Sequence, residues 1–319
     1  MTKPKRERHT LFDDTFRTIE QECDDALIYF VNRMFKEHHK RTAKVEHLRN
    51  EHYDHEKGKP TEKSITDARF SITEGNKTKY YHLECESRGF GEVVMIRMFR
   101  YGISHAGIGR DKETPYKLTV KLPRSGVLIL RDKGNPPDHI SFEIITPGGK
   151  ITYDAPVIRL SDYSLDRIFK QKMYFLIPFF FVNLEARFGA YDNNADDRKE
   201  LEKILNDIID RLETVDESEL SLRSKGVIIE ETVNIIKGVA YNRKNVQKEV
   251  DDIMGGKPHK LKWLEQYDGD MAASHAQGRK DEKLVDIKNL MSSMNWSSEQ
   301  AMQALKIPES DRPKYSEKL

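Results

Sequence analysis

Little in the chain assigns it quickly. There are two cysteines in 319 residues, Cys23 and Cys85, far apart and forming no metal-spaced pair. That excludes a disulfide scaffold and a cysteine zinc site, and it suits a reducing cytoplasm. Long apolar runs are missing too. The richest stretch, "MYFLIPFFFVNL" at 173–184, contains Pro178 and is far shorter than the roughly 20 residues that a bilayer span needs; it is expected to form a buried helix, with no membrane role. The basic start "MTKPKRERHT" leads into no apolar segment, so no secretory signal is expected. Net charge is almost absent, with Lys+Arg 54 against Asp+Glu 53, or +1, and does not announce a nucleic-acid partner. Residues 1–160 carry 29 basic and 24 acidic side chains, +5, leaving −4 for the rest, a bias that suits phosphate contact only weakly. No repeat of solenoid period is present.

What the chain does have is length for a sizeable core and clear periodicity. Phe12, Phe16, Ile19, Cys23, Leu27, Phe30, Val31 and Met34 recur at helical spacing, predicting one amphipathic helix over 11–36. Residues 37–63 lose periodicity and hold His38, His39, His47, His52 and His55. A polar connector is expected there, since the spacings match no usual zinc set. From Ser64 the period is two: "ITDARFSI", the turn "EGNK" and "KYYHLEC" predict a β-hairpin. "GEVVMIRMFRYGISHA" predicts a helix with Arg97, Tyr101 and Ser104 on one polar stripe. Strands follow at "YKLTVKL", "GVLILR", "HISFEII" and "KITYDA", the last two joined through "TPGG". Helices are expected at about 162–190, 196–213, 224–240 and 244–253, then a small helical tail after about 278.

The hairpin holds the chemistry. In "YHLECES", Tyr81, Leu83 and Cys85 point one way, while His82, Glu84 and Glu86 point the other. The two acids therefore share a face, with Cα atoms roughly 6.5–7 Å apart. Asp67 on the partner strand can join them. Three crowded carboxylates raise one another's pKa unless a cation intervenes, and Mg²⁺, an oxygen-seeking ion that activates water, answers that need. The other reading is plainer: the acids form the solvent face of an antiparallel hairpin.

"DDTFR" at 13–17, "ITDARFSI" at 65–72, "YHLECES" at 81–87 and "IRMFRY" at 96–101 resemble successive blocks of the Rpn family of recombination-promoting nucleases and transposases, within the PD-(D/E)XK nuclease superfamily. "VLILR", "IITPGGKITYDAPV", "FLIPFF" and "SSEQAMQALKIPES" extend the similarity over most of the chain. The resemblance implies an α/β, restriction-endonuclease-like fold, a mixed central sheet flanked by helices with a C-terminal helical extension. With "GGKPHK" and "QYDGDMAASHAQG" reading as linkers, the chain is expected to divide into a nuclease domain at 1–190, a helical extension at 191–255, a linker at 256–277 and a small helical module at 278–319. The resemblance also implies that Asp67 and Glu84 ligate Mg²⁺, with Mn²⁺ as substitute, together with the backbone carbonyl of Cys85. Glu86 stands where the superfamily has Lys and this family usually Gln; a carboxylate there brings no positive charge but can act as general base or second-metal ligand.

Asp14 and Arg17 match a block in the first helix, where the superfamily often supplies another acid; Glu20 and Glu22 are alternatives, and each also reads as a solvated helix residue. Arg97 and Tyr101 match the helix after the catalytic strand. Arg97 either contacts the scissile phosphate or bridges to Glu92, Glu84 or Glu86. In the tail, Ser297 or Ser298 is a candidate N-cap. Leu284, Ile287, Leu290, Met291 and Met294 form a stripe that reads as a small core or a homo-oligomer contact more readily than as a DNA reader. The function implied is a metal-dependent DNA endonuclease of low sequence specificity. The alternative is a catalytically degenerate relative that binds DNA or protein, because Glu86 departs from the family residue.

Overall fold

The computed structural model describes residues 7–48, 51–54, 62–65, 67–104, 106–110, 117–133 and 135–255, and, in the tail, 287–288, 291, 297–305, 307 and 312–316. They fall into two units, Met1–Lys257 and Pro258–Leu319.

The first unit opens with α1 (Glu7–Glu22) and α2 (Asp24–Phe35). Strands β1 (Lys44–His47), β2 (Glu51–Asp54), β3 (Glu62–Ile65), β4 (Ala68–Glu74) and β5 (Lys77–Glu86) come next. Helix α3 (Glu92–Ser104) leads to β6 (Gly107–Arg110), β7 (Leu118–Lys121), β8 (Arg124–Ile129), β9 (His139–Thr146) and β10 (Gly149–Arg159). Six strands make one open mixed sheet in the order β1-β4-β5-β8-β10-β9. The pairs β5–β8 and β8–β10 are parallel and the rest antiparallel. Pairs β2–β3 and β6–β7 stand apart as two-stranded ribbons. With helices on both faces of the sheet, this is an α/β architecture.

Strand alternation sets what each face carries. On β5, Tyr81 packs between Phe35 and Phe70, ring centroids 5.2 and 5.4 Å away. Two residues further on, opposite Leu83 on β8, a Cβ at Gly126 would lie 2.3 Å from Met34 Sδ, so the bare backbone lets α2 close on this face. On the opposite face Val127 and Ile129 join Val94 and Met98 of α3, with Ile140 and Ala155, in one buried cluster. Each such side chain is worth about 1.5–3 kcal/mol of burial, and together they pin α3 over the face of β5 that carries His82, Glu84 and Glu86.

Four predicted features come out differently. The helix over 11–36 is two helices, because Cys23 at φ −124°, ψ 62° leaves helical geometry between them. The histidine-rich connector contributes β1 to the sheet edge, with Val45 opposite Ile72; a four-residue edge strand is too short to show a period. Asp67 sits in a bend between β3 and β4 rather than within a strand. The apolar stretch 173–184 is buried, but as 3₁₀ turns at Tyr174–Leu176 and Pro178–Val182. Pro178 has no N–H to give an α-helix and starts the second turn. Phe175 and Phe179 lie fully buried there against Phe16.

The rest of the unit is helical: α4 (Leu165–Lys170), α5 (Phe188–Asn193), α6 (Ala195–Thr214), α7 (Leu222–Val239) and α8 (Lys244–Gly255). Ser164, Asn194 and Ser221 cap α4, α6 and α7 through their side-chain oxygens. In the second unit α9 (Ser298–Ala304) begins with a capping box: Ser297 Oγ accepts from Gln300 N, and Gln300 Oε1 from Ser297 N. Ile287, Ala301, Met302, Ile307 and Tyr315 form its buried cluster, with Met291 against it. Leu284, Leu290 and Met294 lie outside the described residues. Among the described residues no helix is long and apolar enough to cross a membrane.

Candidate active site

At the carboxyl end of β5 the chain turns through Ser87–Gly91 into α3. That turn, α1 and the start of β4 enclose a cleft of about 700 Å³ lined by Asp13, Arg17, Asp67, Glu84, Glu86 and Arg97, among others. The turn depends on Gly89, whose φ is +121° and where a Cβ would sit 2.7 Å from Lys133 Cβ. Ligands of open α/β sheets gather at the carboxyl ends of strands, and β5 ends here between a parallel and an antiparallel neighbour.

The acids are not a solvent face. Glu84 is 1% exposed, Asp67 7% and Glu86 8%, because α3 covers them. Arg97 reaches down from α3 to both glutamates, with Nε 2.9 Å from Glu84 Oε2 and Nη2 3.3 Å from Glu86 Oε2. Asp67 Oδ2 accepts the Cys85 N–H at 2.8 Å, and Arg17 Nη2 stands 3.5 Å from its other oxygen. Glu86 Oε1 takes the Arg88 N–H at 2.7 Å. Its backbone carbonyl accepts from Leu130 N on the β8 side, so by strand alternation the Cys85 carbonyl faces the Asp67 side.

The electrostatics are strained towards protonation. Burial pushes the Asp67 carboxyl well above its usual range, and the charge of Glu84 adds to this, against the Cys85 N–H that lowers it. Asp13 is pushed up to about 6, first by burial, with Arg17 pulling the other way. At Arg97 burial opposes the charge, yet Glu84 and Glu86 outweigh it and raise the guanidinium pKa. Tyr101, on the same cleft wall, is raised by burial and then by Glu84.

Asp67, Glu84, Glu86, Arg17, Arg97 and Tyr101 thus share one cleft, while the other expected auxiliaries do not. Asp14 is exposed. Glu20 is buried elsewhere, its Oε1 2.8 Å from His47 Nδ1, and Glu22 pairs with Arg223. The helix acid in the cleft is Asp13, one residue and so about 100° round the helix from Asp14. Its i, i+4 spacing to Arg17 is the signal that marks it. His82, which is fully buried, was also missed: its Nε2 is 3.0 Å from Glu84 Oε1 and its Nδ1 3.1 Å from Ser125 Oγ. Of the clustered histidines, His39 contacts Tyr81 Oη and Glu74, and His47 contacts Glu20 and Asp24.

Among the described residues no three His, Cys, Asp or Glu side chains stand as a ready metal-ligand group. The carboxylate oxygens of Asp13, Asp67, Glu84 and Glu86 are nonetheless donors of the kind a hard cation takes, and no histidine is among the described residues that line the cleft. The Arg97 guanidinium lies where a bridging cation would, between Glu84 and Glu86. Compared with family models, curated proteins and solved structures, the chain matches none.

Proposed function

We propose that the chain is a metal-dependent DNA endonuclease of low sequence specificity, related to the recombination-promoting nucleases and acting in recombination or with a mobile element in the cytoplasm. The observation that carries this reading is the convergence of Asp13, Asp67, Glu84 and Glu86 on one open cleft, with Asp13 and Asp67 pushed towards protonation first by burial and then by neighbouring carboxylates. Asp67, Glu84 and the Cys85 carbonyl would hold Mg²⁺ or Mn²⁺. When bound, the ion supplies Lewis acidity, easing deprotonation of the attacking water and offsetting phosphate charge. Glu86 accepts a proton from that water as general base. Arg17 and Arg97, released from the carboxylates, present guanidinium forks matched to phosphate oxygens, and Arg88 at the rim meets the neighbouring backbone. Cys23 and Cys85 are buried and unpaired, which suits a reducing compartment.

The test is purified protein on supercoiled plasmid, with and without Mg²⁺ or Mn²⁺. Nicking with either ion is expected. Asp67→Ala and Glu84→Ala should each lose more than about a hundredfold in rate, since even the outer partners of metal sites are worth about 10–100-fold. Cleavage equal to wild type in both variants would sink the assignment. A second reading draws on Arg97: its fork already bridges Glu84 and Glu86, as it would in a relative that has given up metal and keeps only DNA or protein binding. Retained DNA binding with no cleavage under any divalent ion would favour it.

A further inference from the structure

Beneath the cleft, His82 sits between two partners and under a lid. Tyr101 meets its ring edge-on at 6.1 Å, and Gly102 lies over Ser125, where a Cβ would be 3.6 Å from the hydroxyl. With Glu84 as the acceptor of this contact, the hydrogen comes from Nε2. The Ser125 hydroxyl then donates to Nδ1 and fixes the tautomer. Glu84 is divided as a result. Oε1 is tied to His82 inside the protein, and Oε2 meets Arg97 at the cleft.

We propose that His82, oriented by Ser125, is a positioning residue that limits Glu84 to one cleft-facing oxygen and thereby sets which divalent cation the site prefers. The proposal rests on the reading of the cleft as a metal site. Small octahedral ions are served by single carboxylate oxygens at short distance, whereas Ca²⁺ readily takes both oxygens of one carboxylate at longer distance. A Glu84 with Oε1 withheld favours Mg²⁺ and Mn²⁺. Freed of His82, it can swing and offer both oxygens, and Ca²⁺ gains.

The experiment is calorimetric titration of the full chain with Mn²⁺ and with Ca²⁺, without DNA, for wild type, His82→Leu, His82→Gln and Ser125→Ala. His82→Leu should lose about 10–100-fold in Mn²⁺ affinity and narrow the Mn²⁺/Ca²⁺ ratio. His82→Gln, whose amide restores a donor near Nε2, should recover most of both, and Ser125→Ala should fall between. A histidine that only fills space would lower the melting temperature and leave the ratio alone. An unchanged ratio in His82→Leu, with Mn²⁺ still bound by wild type, overturns the proposal but not the metal site. A wild type that binds neither ion overturns both. If His82→Leu does not fold, the ¹⁵N spectrum of wild-type histidine decides: hydrogen on Nε2 supports the assignment, and hydrogen on Nδ1 overturns it.

Discussion

Around the junction of α1 and α2, Glu20 and Asp24 meet His47. Farther along α1, Asp13 meets Asp67, Glu84 and Glu86, with Arg17 and Arg97 among them. Both clusters crowd carboxylates beside a nitrogen base, but their charge is settled differently. His47 is held at 3.0 and 2.8 Å by Asp24 and Glu20, whose hydrogen bonds push it up to about 10 against the opposing effect of burial. It stays protonated at neutral pH and closes the cluster. Burial still outweighs that help at Glu20, which is raised. In the cleft, five acids face three arginines, and both Asp67 and Asp13 are pushed upward. The His47 cluster carries its counter-charge between its two acids, whereas in the cleft burial outweighs the arginines at Asp67 and Asp13, and the metal proposed above would add the charge there.

The sharpest way to break that comparison is Asp67→Asn. The amide oxygen still accepts the Cys85 N–H, while a poorly solvated charge disappears. Without metal, the melting temperature should rise by roughly 1.5–3 °C, equivalent to about 1–2 kcal/mol in a chain of this size. Added Mn²⁺, which on the proposed reading should stabilise wild type by mass action, should no longer shift it. A fall in melting temperature would mean that the cleft is as well compensated as the His47 cluster.

His47→Gln should do the opposite, losing about 1–2 kcal/mol at about pH 7, a figure discounted for the partial exposure of the pair. The raised His47 pKa makes its stabilisation full below about 6.5 and lost as pH rises through about 10. Urea midpoints of variant and wild type should therefore converge at alkaline pH. A gap independent of pH would point to lost packing instead of charge.

The smallest effect belongs to Asp13→Asn. The folded carboxyl holds its proton to about 6 while the unfolded one releases it near 3.8. Wild type should thus lose stability between those two pH values and carry the full deficit above them. The variant should gain about 1 kcal/mol at neutral pH after allowance for screening, and nothing below about pH 4. Chemical denaturation at the two ends of that window measures it.

The hairpin, the helix after it and the common face of Glu84 and Glu86 were legible in the sequence, because a period of two and a period of 3.6 are hard to confuse over eight residues or more. The burial of that face was not. Charged side chains read as solvent-facing, and only the tertiary position of α3 turns them inward. Asp13 was missed because one step round α1 separates a cleft wall from open solvent, and a matching block of sequence does not resolve one residue. His82 read as one more polar residue in the alternation. Its partner Ser125 lies on β8, 43 residues on, and no local pattern links the two. Strand β1 escaped because an edge strand can have few buried side chains, and three of its four are exposed.

Gly75 lies at the far end of the hairpin from all this chemistry, roughly 25 Å from Asp67 at the usual rise per residue. Its φ of +56°, with Asn76 on the ordinary side, marks a type II′ turn that fixes Glu74 against Lys77 and, six rungs of the ladder on, Ala68 against Leu83. Asp67 meets Glu84 because of that count. The turn therefore works as the zero mark of a ruler: one residue added or removed there would rotate every later rung to the other side of the sheet, and two acids would part without either having been touched.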